Sequence, residues 1–217
     1  MERASKDGGI TYLELWLLGL QSSDIKILFV LMLLDAVICM LTWSAWVPFL
    51  FGTFIGLSFW FTTEYLLHRF LLHLPAPRSQ FLLKFHQRLH WTHHQTPDCR
   101  EFLFVPFWAV IPMILSVTGL AVLLQGGLAI APALLGFLLF FMIYESSHLA
   151  AHVAYHPKTR LGRTMKKHHR LHHYKNEAYW YGVTHPMMDL IFGTWKPFRN
   201  VKKSGTARDP QRSPSNS

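Results

Sequence analysis

The chain has 217 residues, of which 51% are hydrophobic and 15% are charged, and its formal net charge is +9 at pH 7. Its mean hydropathy of +0.19 exceeds that of an ordinary soluble domain and predicts an integral membrane protein. The only two cysteines, Cys39 and Cys99, exclude a disulfide framework.

Two long uncharged stretches predict four membrane-spanning helices. Apart from Asp35, residues 27–63 carry no formal charge, and residues 102–144 carry none. Each stretch is roughly twice the ~20 residues that one spanning helix needs. The first should break near TWSAWVP, with a new helix starting at Pro48, and the second at QGGLAIAP. The predicted fold is therefore all-α, with four transmembrane helices, and we expect a histidine-rich cap on one side of them.

The basic residues predict the orientation of these helices. Residues 68–101 contain five Lys or Arg and residues 157–217 contain thirteen, whereas the turns inside the two hairpins contain none. Because Lys and Arg concentrate on the cytoplasmic side, we expect both termini and the cap to face the cytosol. An endoplasmic reticulum membrane or a bacterial inner membrane fits this topology. The same bias explains the pI of 9.8, so nucleic acid is not an expected partner.

The predicted organisation has three parts. Residues 1–24 form a cytosolic or interfacial segment, residues 25–201 form the four-span domain, and residues 202–217 form a tail. The tail sequence KKSGTARDPQRSPSNS has a single alanine as its apolar residue, so it is predicted to be disordered and dispensable. A regulatory tail that is phosphorylated at RSPS is the alternative.

None of the fourteen histidines precedes His68. Most of them fall in four motifs, HRFLLH, HQRLHWTHH, HLAAHVAYH and KKHHRLHHYKN. Pro48 and His68 are twenty residues apart, as are Pro132 and His152. That distance corresponds to about 30 Å of helix, so both helices should reach the cytosolic boundary at their histidines. We predict one histidine-rich site there.

The spacing within these motifs predicts metal ligands. Histidines three or four residues apart share a helix face, so HWTHH, HLAAH and HRLHH can each direct imidazoles to one point. In HRFLLH the spacing of five rotates the second side chain by about 140°, so His73 should point away from His68 or lie past the helix end. Ten spaced histidines favour two ions with about five ligands each, because one tetrahedral zinc is complete with four. The remaining four are interpreted as structural: His86, His156, His168 and His185.

Two carboxylates, Asp35 and Glu64, fall within the predicted spans. Burying a carboxylate in a membrane is costly. We therefore expect each to have polar partners rather than a role in the chemistry.

At its histidine motifs the sequence resembles the fatty acid hydroxylase superfamily, and within it the fatty acid 2-hydroxylases. The resemblance covers His68 to Trp195 and rests on EYLLHRFLLH, LHWTHHQTP, YESSHLAAH, KKHHRLHHYKN and GVTHPMMDLIFGT. It implies a non-haem di-iron centre on a four-span scaffold, with no catalytic residues beyond the metal ligands. The implied ligands are His68, His73, His90, His93, His94, His148, His152, His169, His172 and His173.

The resemblance also implies an activity. It indicates a membrane monooxygenase that hydroxylates a lipid acyl chain, most closely at the 2-position of a fatty acid or of a sphingolipid N-acyl chain. The cofactors would be two iron ions, which zinc can replace in the isolated protein, and the co-substrate would be O2. Residues 1–24 are too few for the cytochrome b5 module of several relatives. An external donor such as cytochrome b5, or ferredoxin with its reductase, is therefore expected.

Other functions share part of this pattern. Sterol C-4 methyl oxidases, sterol desaturases and carotenoid hydroxylases carry the same histidine motifs. A zinc-dependent membrane hydrolase is the alternative from another class. A bis-histidine haem carrier would instead place its histidines within the spans, and a metal transporter would need a track of ligands there.

Overall fold

A computed structural model describes residues 9–42 and 45–209, and the ordered elements within them are helical. Its α-helices are α1 (Tyr12–Gly19), α2 (Ser23–Leu41), α3 (Trp46–Leu67), α4 (Gln80–His86), α5 (Thr92–Gln95), α6 (Phe107–Gln125), α7 (Ile130–His152), α8 (Arg160–Tyr174) and α9 (Met187–Ile191). Two π-helical turns, His68–Leu72 and Gln87–Trp91, continue α3 and α4. The prediction of an all-α chain is confirmed for the described residues.

Three helical stretches of the described chain are long and apolar enough to cross a membrane. They are Trp46–Leu72, Arg100–Gln125 and Gly127–His152. The break predicted at QGGLAIAP is confirmed, since α6 ends at Gln125 and Gly126 adopts a positive φ of 77°. The helix predicted to start at Pro48 begins two residues earlier, at Trp46.

Helix α2 was predicted to be the first span. It has 19 residues, but it carries Asp24, Lys26 and Asp35 and is not among the three candidate spans. Asp24 lies in its first turn, where its Oδ1 accepts a hydrogen bond of 2.9 Å from the Phe107 amide. The buried Oδ2 of Asp35 has no hydrogen-bond partner among the described residues, so the expected polar partner is missing at that atom.

The chain divides into two compact units. We call the first the histidine unit; it comprises Met1–Gly19, Glu64–Phe104 and Ser146–Ser217. We call the second the apolar unit; it comprises Leu20–Thr63 and Val105–Glu145. All ten histidines predicted as metal ligands belong to the histidine unit.

Within the apolar unit, α3 and α7 are in contact through their backbones. A Cβ atom built on Gly56 would clash with the carbonyl oxygen of Ala133 and lie 2.5 Å from the amide nitrogen of Phe137. Small residues permit this close approach, as is typical of helices that pack in membranes. Next to this contact, the Trp60 ring packs edge-on against Phe137 and Phe141, with centroids 5.8 and 4.6 Å apart.

Replacing Gly56 with alanine should therefore destabilise the protein. The new methyl group meets backbone atoms that cannot rotate away, and overpacking of this kind costs about 1–3 kcal/mol. The matched control is Gly119→Ala in α6, where an added Cβ meets nothing within 4 Å. Thermal unfolding in detergent should show a lower midpoint for the first variant only; equal midpoints would contradict the close packing.

The C-terminal residues differ from their prediction. Residues 202–209 form hydrogen bonds with the end of α8 and with α5 instead of a disordered tail. Hydrogen bonds from polar groups order this segment, although it has almost no apolar side chains to bury. Residues 210–217 of the predicted tail lie outside the described part of the chain.

Candidate metal centre

Five helical elements supply the ten predicted ligands, all of which lie in the histidine unit. His68 and His73 lie at the two ends of the π-helical turn after α3, and the second motif lies on the other π-helical turn and α5. His148 and His152 lie at the end of α7, and the last three lie on the buried face of α8.

The structure brings these ten side chains together in two groups of five. Within each group, one ring nitrogen per residue lies within 4.8 Å of all the others. The first histidine group is His68, His73, His90, His94 and His172, and the second is His93, His148, His152, His169 and His173. Each group could hold one metal ion, in agreement with the prediction of about five ligands per ion.

Membership of a group follows helical spacing with two corrections. Histidines four residues apart, such as His90 and His94, share a group as predicted, but those three apart do not, since His93 belongs to the other group. His73 was predicted either to point away from His68 or to lie past the helix end. The second alternative is confirmed, since the helical turn ends at Leu72 and His73 is its C-cap, but the two side chains meet in one group. The chain between them is a π-helical turn, whose i to i+5 hydrogen bonds bring residues five apart onto one face.

The nitrogen positions in the first group fit a single ion. The Nε2 atom of His90 lies 3.1 Å from Nε2 of His68 and 2.9 Å from Nε2 of His73 and of His94. The Nε2 atoms of His73 and His172 are 3.0 Å apart. Two nitrogens bound at right angles to one ion, each about 2.1 Å from it, would lie about 3.0 Å apart. The observed distances match that geometry.

Backbone carbonyls fix the tautomer of three ligands in the first group. A carbonyl oxygen only accepts hydrogen bonds, so the Nδ1 atom facing it carries the proton and Nε2 keeps its lone pair. These bonds join His68 to Tyr181 (2.5 Å), His94 to Ala207 (2.8 Å) and His172 to Tyr179 (2.8 Å). Several lone pairs therefore converge on one point, which is the arrangement that a cation stabilises.

The Nε2 atoms of the second group converge in the same way, but not all of its rings are held by a hydrogen bond at Nδ1. Its Nε2 atoms lie 3.0 Å apart in three pairs, which are His93 with His148, His152 with His169, and His169 with His173. Among the described residues, the buried Nδ1 atoms of His93, His169 and His173 have no hydrogen-bond partner. The two groups thus share a donor set but differ in how their rings are held.

Burial keeps these imidazoles neutral. Desolvation lowers the pKa of His94 to about 3, although its bond to Ala207 opposes the shift. Desolvation also holds the pKa of six others well below 6.5, with neighbouring imidazoles adding to the effect: His73, His90, His93, His169, His172 and His173. Neutral histidine is the form that binds metal.

Acidification should therefore destabilise the folded protein. Below pH 6.5 the unfolded chain binds protons at these histidines while the folded chain does not, so the free energy of unfolding falls as pH decreases from about 6.5 towards the folded pKa. For each such histidine, the free energy of unfolding falls by about 1 kcal/mol per pH unit in this window. The thermal midpoint of the metal-loaded protein should drop steadily between pH 7 and pH 5; a constant midpoint would contradict the buried neutral cluster.

A loop between α8 and α9 carries two of the three supporting carbonyls, and buried carboxylates hold it. Asp189, fully buried, accepts hydrogen bonds from the amides of Tyr181 (2.9 Å) and Gly182 (2.7 Å) and from the Thr194 hydroxyl (2.6 Å). Gly182 approaches so closely that an added Cβ would lie 2.9 Å from Asp189 Oδ2. The sequence interpretation gave Asp189 no such role; its place in GVTHPMMDLIFGT was the available signal.

Glu64 holds the other half of this loop. Its Oε1 accepts from the amides of Val183 (2.6 Å) and Thr184 (2.9 Å), and its Oε2 accepts from the Thr184 hydroxyl (2.5 Å). The expectation that Glu64 has polar partners is confirmed. In the same loop Trp180 adopts a left-handed φ of 59°, a conformation that costs energy for a bulky residue and persists because its surroundings fix it.

The four histidines interpreted as structural lie outside both groups. Nδ1 of His168 lies 2.8 Å from the Thr164 carbonyl, and its ring is 4.0 Å from that of Trp195. The ring of His86 packs edge-on against Trp91 at 4.9 Å. The other two are His156 and His185.

Comparison with known proteins places the chain in a family. A sequence model of the fatty acid hydroxylase family matches residues 53–194, which include both histidine groups complete. The chain belongs to the fatty acid hydroxylase family. The resemblance seen in its histidine motifs is confirmed by this match.

Individual members of the fatty acid hydroxylase family cover part of the chain. Fatty acid 2-hydroxylase of Mus musculus is 32% identical over 152 residues, which are 67% of this chain and 40% of that protein. A dihydroceramide fatty acyl 2-hydroxylase of Arabidopsis thaliana is 34% identical over 150 residues, which are 64% of this chain and 58% of that protein.

A solved structure shares the fold. It is described as full-length scs7p with only the hydroxylase domain visible, and it superposes with a TM-score of 0.61 at 31% identity, covering 71% of this chain and 60% of that chain. The chain thus spans between 40% and 60% of the length of these three relatives.

Proposed function

We propose that the protein is a membrane-bound di-iron hydroxylase that introduces one hydroxyl group at the 2-position of a fatty acid or of a sphingolipid N-acyl chain. The observation that carries the proposal is the convergence of five Nε2 atoms in each of two buried groups. The names of the relatives support the choice of substrate, since they are fatty acid and dihydroceramide fatty acyl 2-hydroxylases.

The donor set favours iron as the resident metal. Imidazole nitrogen suits iron as well as zinc, and each group offers five of these donors. A tetrahedral zinc site would be complete with four ligands, so zinc is proposed only as a replacement in isolated protein. When bound, the two irons would bind dioxygen and pass electrons to it, which would make it reactive enough to attack an unactivated C–H bond.

The residues of this chain would contribute position and a dry environment. The buried imidazoles hold the ions while remaining neutral, and the carbonyls of Tyr179, Tyr181 and Ala207 keep three of them in the binding tautomer. Water is excluded from most of these side chains, which limits side reactions. No other catalytic side chain is part of the proposal.

The reaction requires an external source of electrons. Hydroxylation consumes one O2, two electrons and two protons, and it yields the alcohol and one water. We propose that a carrier protein such as cytochrome b5, or ferredoxin with its reductase, delivers the electrons. In support of this, α8 exposes Arg163, Lys167 and Arg170 on the side away from its histidines, and such a basic face attracts acidic carriers.

Insertion in the membrane completes the proposal. We propose that α2 crosses the membrane in addition to the three candidate spans, and that both termini face the cytosol. The membrane would be that of the endoplasmic reticulum or a bacterial inner membrane. Cysteines introduced at Gly127 and at Lys203, with Cys39 and Cys99 replaced by serine, should react with an impermeant reagent from opposite sides. Labelling of both from one side would contradict this topology.

The activity itself is tested by lipid profiling. Cells that express the protein should accumulate fatty acids or N-acyl chains heavier by one oxygen atom, and fragmentation should place the hydroxyl at the 2-position. Cells that express His148→Ala should show no such gain at an equal protein level. Oxidised sterols or carotenoids with unchanged acyl chains would contradict the proposal and favour one of the other histidine-motif enzymes.

A further inference from the structure

Residues 202–209, which we call the terminal segment, lie beyond residue 194, where the match to the family ends. The segment is fastened to the residues that follow α8. The amide of Ser204 donates a hydrogen bond of 2.7 Å to the carbonyl of Lys175, and Asn176 Nδ2 donates one of 3.1 Å to the carbonyl of Lys202. The hydroxyls of Ser204 and Thr206 both donate to Oε1 of Glu177.

The terminal segment places a backbone carbonyl beside a histidine of the first group. The carbonyl oxygen of Ala207 accepts a hydrogen bond of 2.8 Å from Nδ1 of His94, and both residues are buried, with exposed fractions of 3% and 0%. This contact fixes the proton on Nδ1 and leaves the Nε2 lone pair facing His90, 2.9 Å away. The terminal segment thereby decides how one ligand of the first group is presented.

The side chain of the next residue, Arg208, ties the terminal segment to α5. Its Nε donates to the carbonyl of His94 over 2.9 Å, and its Nη2 donates to the carbonyl of Gln95 over 2.6 Å. Its guanidinium also lies over the Tyr174 ring, 5.1 Å from the centroid. One side chain therefore ties α5 to the end of α8, next to ligands of both histidine groups. The planar fork of arginine suits two carbonyls better than a lysine would.

The first group depends on the terminal segment in a way that the second does not. The other two carbonyls that orient its rings, those of Tyr179 and Tyr181, lie inside the residues that match the family. The third belongs to the terminal segment. Partners that orient a ligand typically change metal affinity by about 10- to 100-fold.

We propose that the terminal segment is a positioning element of the first histidine group, in which Arg208 clamps the chain so that the Ala207 carbonyl orients His94 for metal binding. This inference rests on the proposed metal centre and deepens it. It predicts that the segment governs how tightly one ion is held and leaves the other ion unaffected.

The experiment isolates each group in the full-length protein. His148→Ala removes a ligand of the second group and leaves the first to be filled, and His68→Ala does the reverse. Each background is combined with Arg208→Ala, Arg208→Lys or the control Lys203→Ala, which removes an exposed cation of the same segment. The proteins are loaded with Co²⁺, and its release to excess EDTA is followed by absorbance.

In the His148→Ala background, Arg208→Ala should release Co²⁺ about tenfold faster, Arg208→Lys should be intermediate, and Lys203→Ala should match the background. In the His68→Ala background all release rates should be equal. Unchanged rates in the first background would overturn the proposal, as would equal acceleration in both backgrounds, since that would indicate general destabilisation. Thermal midpoints measured after chelation identify variants that do not fold. If Arg208→Ala is one of them, the release rate of Arg208→Lys is compared with that of the background instead.

The metal centre has its own control in this experiment. If the unmodified protein binds two Co²⁺ ions and the Arg208 variants behave as their backgrounds do, only the positioning role fails. If the unmodified protein binds none, the proposed centre itself fails.

Discussion

Replacing His90 with alanine should reduce the proposed two-ion centre to one ion and abolish the proposed hydroxylation. Its Nε2 lies within 3.1 Å of three other ligand nitrogens, more than any other histidine of the two groups shows, so its loss leaves the first group without its central donor. Even groups that only orient a ligand contribute about 10- to 100-fold, so activity should fall by about 100-fold or more. Metal analysis of the purified protein should find about one ion per chain.

The control for this variant is His156→Ala. His156 is a histidine of the same unit that belongs to neither group, so this variant should keep two ions and near-normal activity. Membrane insertion of both variants is compared by fractionation, which separates loss of chemistry from loss of protein. Two ions and full activity in His90→Ala would contradict the assignment of the first group.

Replacing Asp189 with alanine should destabilise the protein and loosen the first group. Two buried donors, the amides of Tyr181 and Gly182, would be left without an acceptor. The Thr194 hydroxyl would lose its bond to the carboxylate and keep its contact with the Tyr65 hydroxyl, 2.8 Å away. Each unsatisfied donor costs about 1–3 kcal/mol, so the free energy of unfolding should fall by about 2 kcal/mol or more. The loop would also release the carbonyl of Tyr181, which orients His68.

Thermal unfolding and metal content together test this prediction. Asp98→Ala, which removes an exposed carboxylate of the same unit, should change neither quantity. Asp189→Asn keeps the shape but accepts fewer hydrogen bonds, so it should be intermediate. An Asp189→Ala protein with a normal midpoint and two tightly held ions would show that the loop does not depend on this carboxylate.

Helical periodicity was enough to predict much of the site. Imidazoles four residues apart, such as His148 and His152, share a group because an α-helix turns by nearly a full circle over that spacing. The same rule failed at His68 and His73, because the hydrogen bonding there changes from α to π. No propensity scale signals that change, and only the spacing of five in HRFLLH hinted at it.

Long-range contacts were beyond the reach of sequence patterns. The carbonyls that orient His68 and His94 come from residues 113 positions further along the chain in each case. A backbone carbonyl has no sequence signature, because every residue carries one. Carboxylates in apolar segments predicted polar partners at Asp35 and Glu64, and the structure supplies them at Glu64.

Each of the two pairs of adjacent ligands is divided between the groups. His94 and His172 belong to the first group, and His93 and His173 belong to the second. Neighbouring residues on an α-helix point about 100° apart, so each pair acts as a rigid bracket whose angle is set by the peptide backbone. A change of side-chain rotamer can move a single ligand, but the distance between the two groups is fixed by the backbone. A one-residue insertion within either bracket would therefore damage both groups at once, and substitutions that retune one ion can succeed only where they leave the brackets intact.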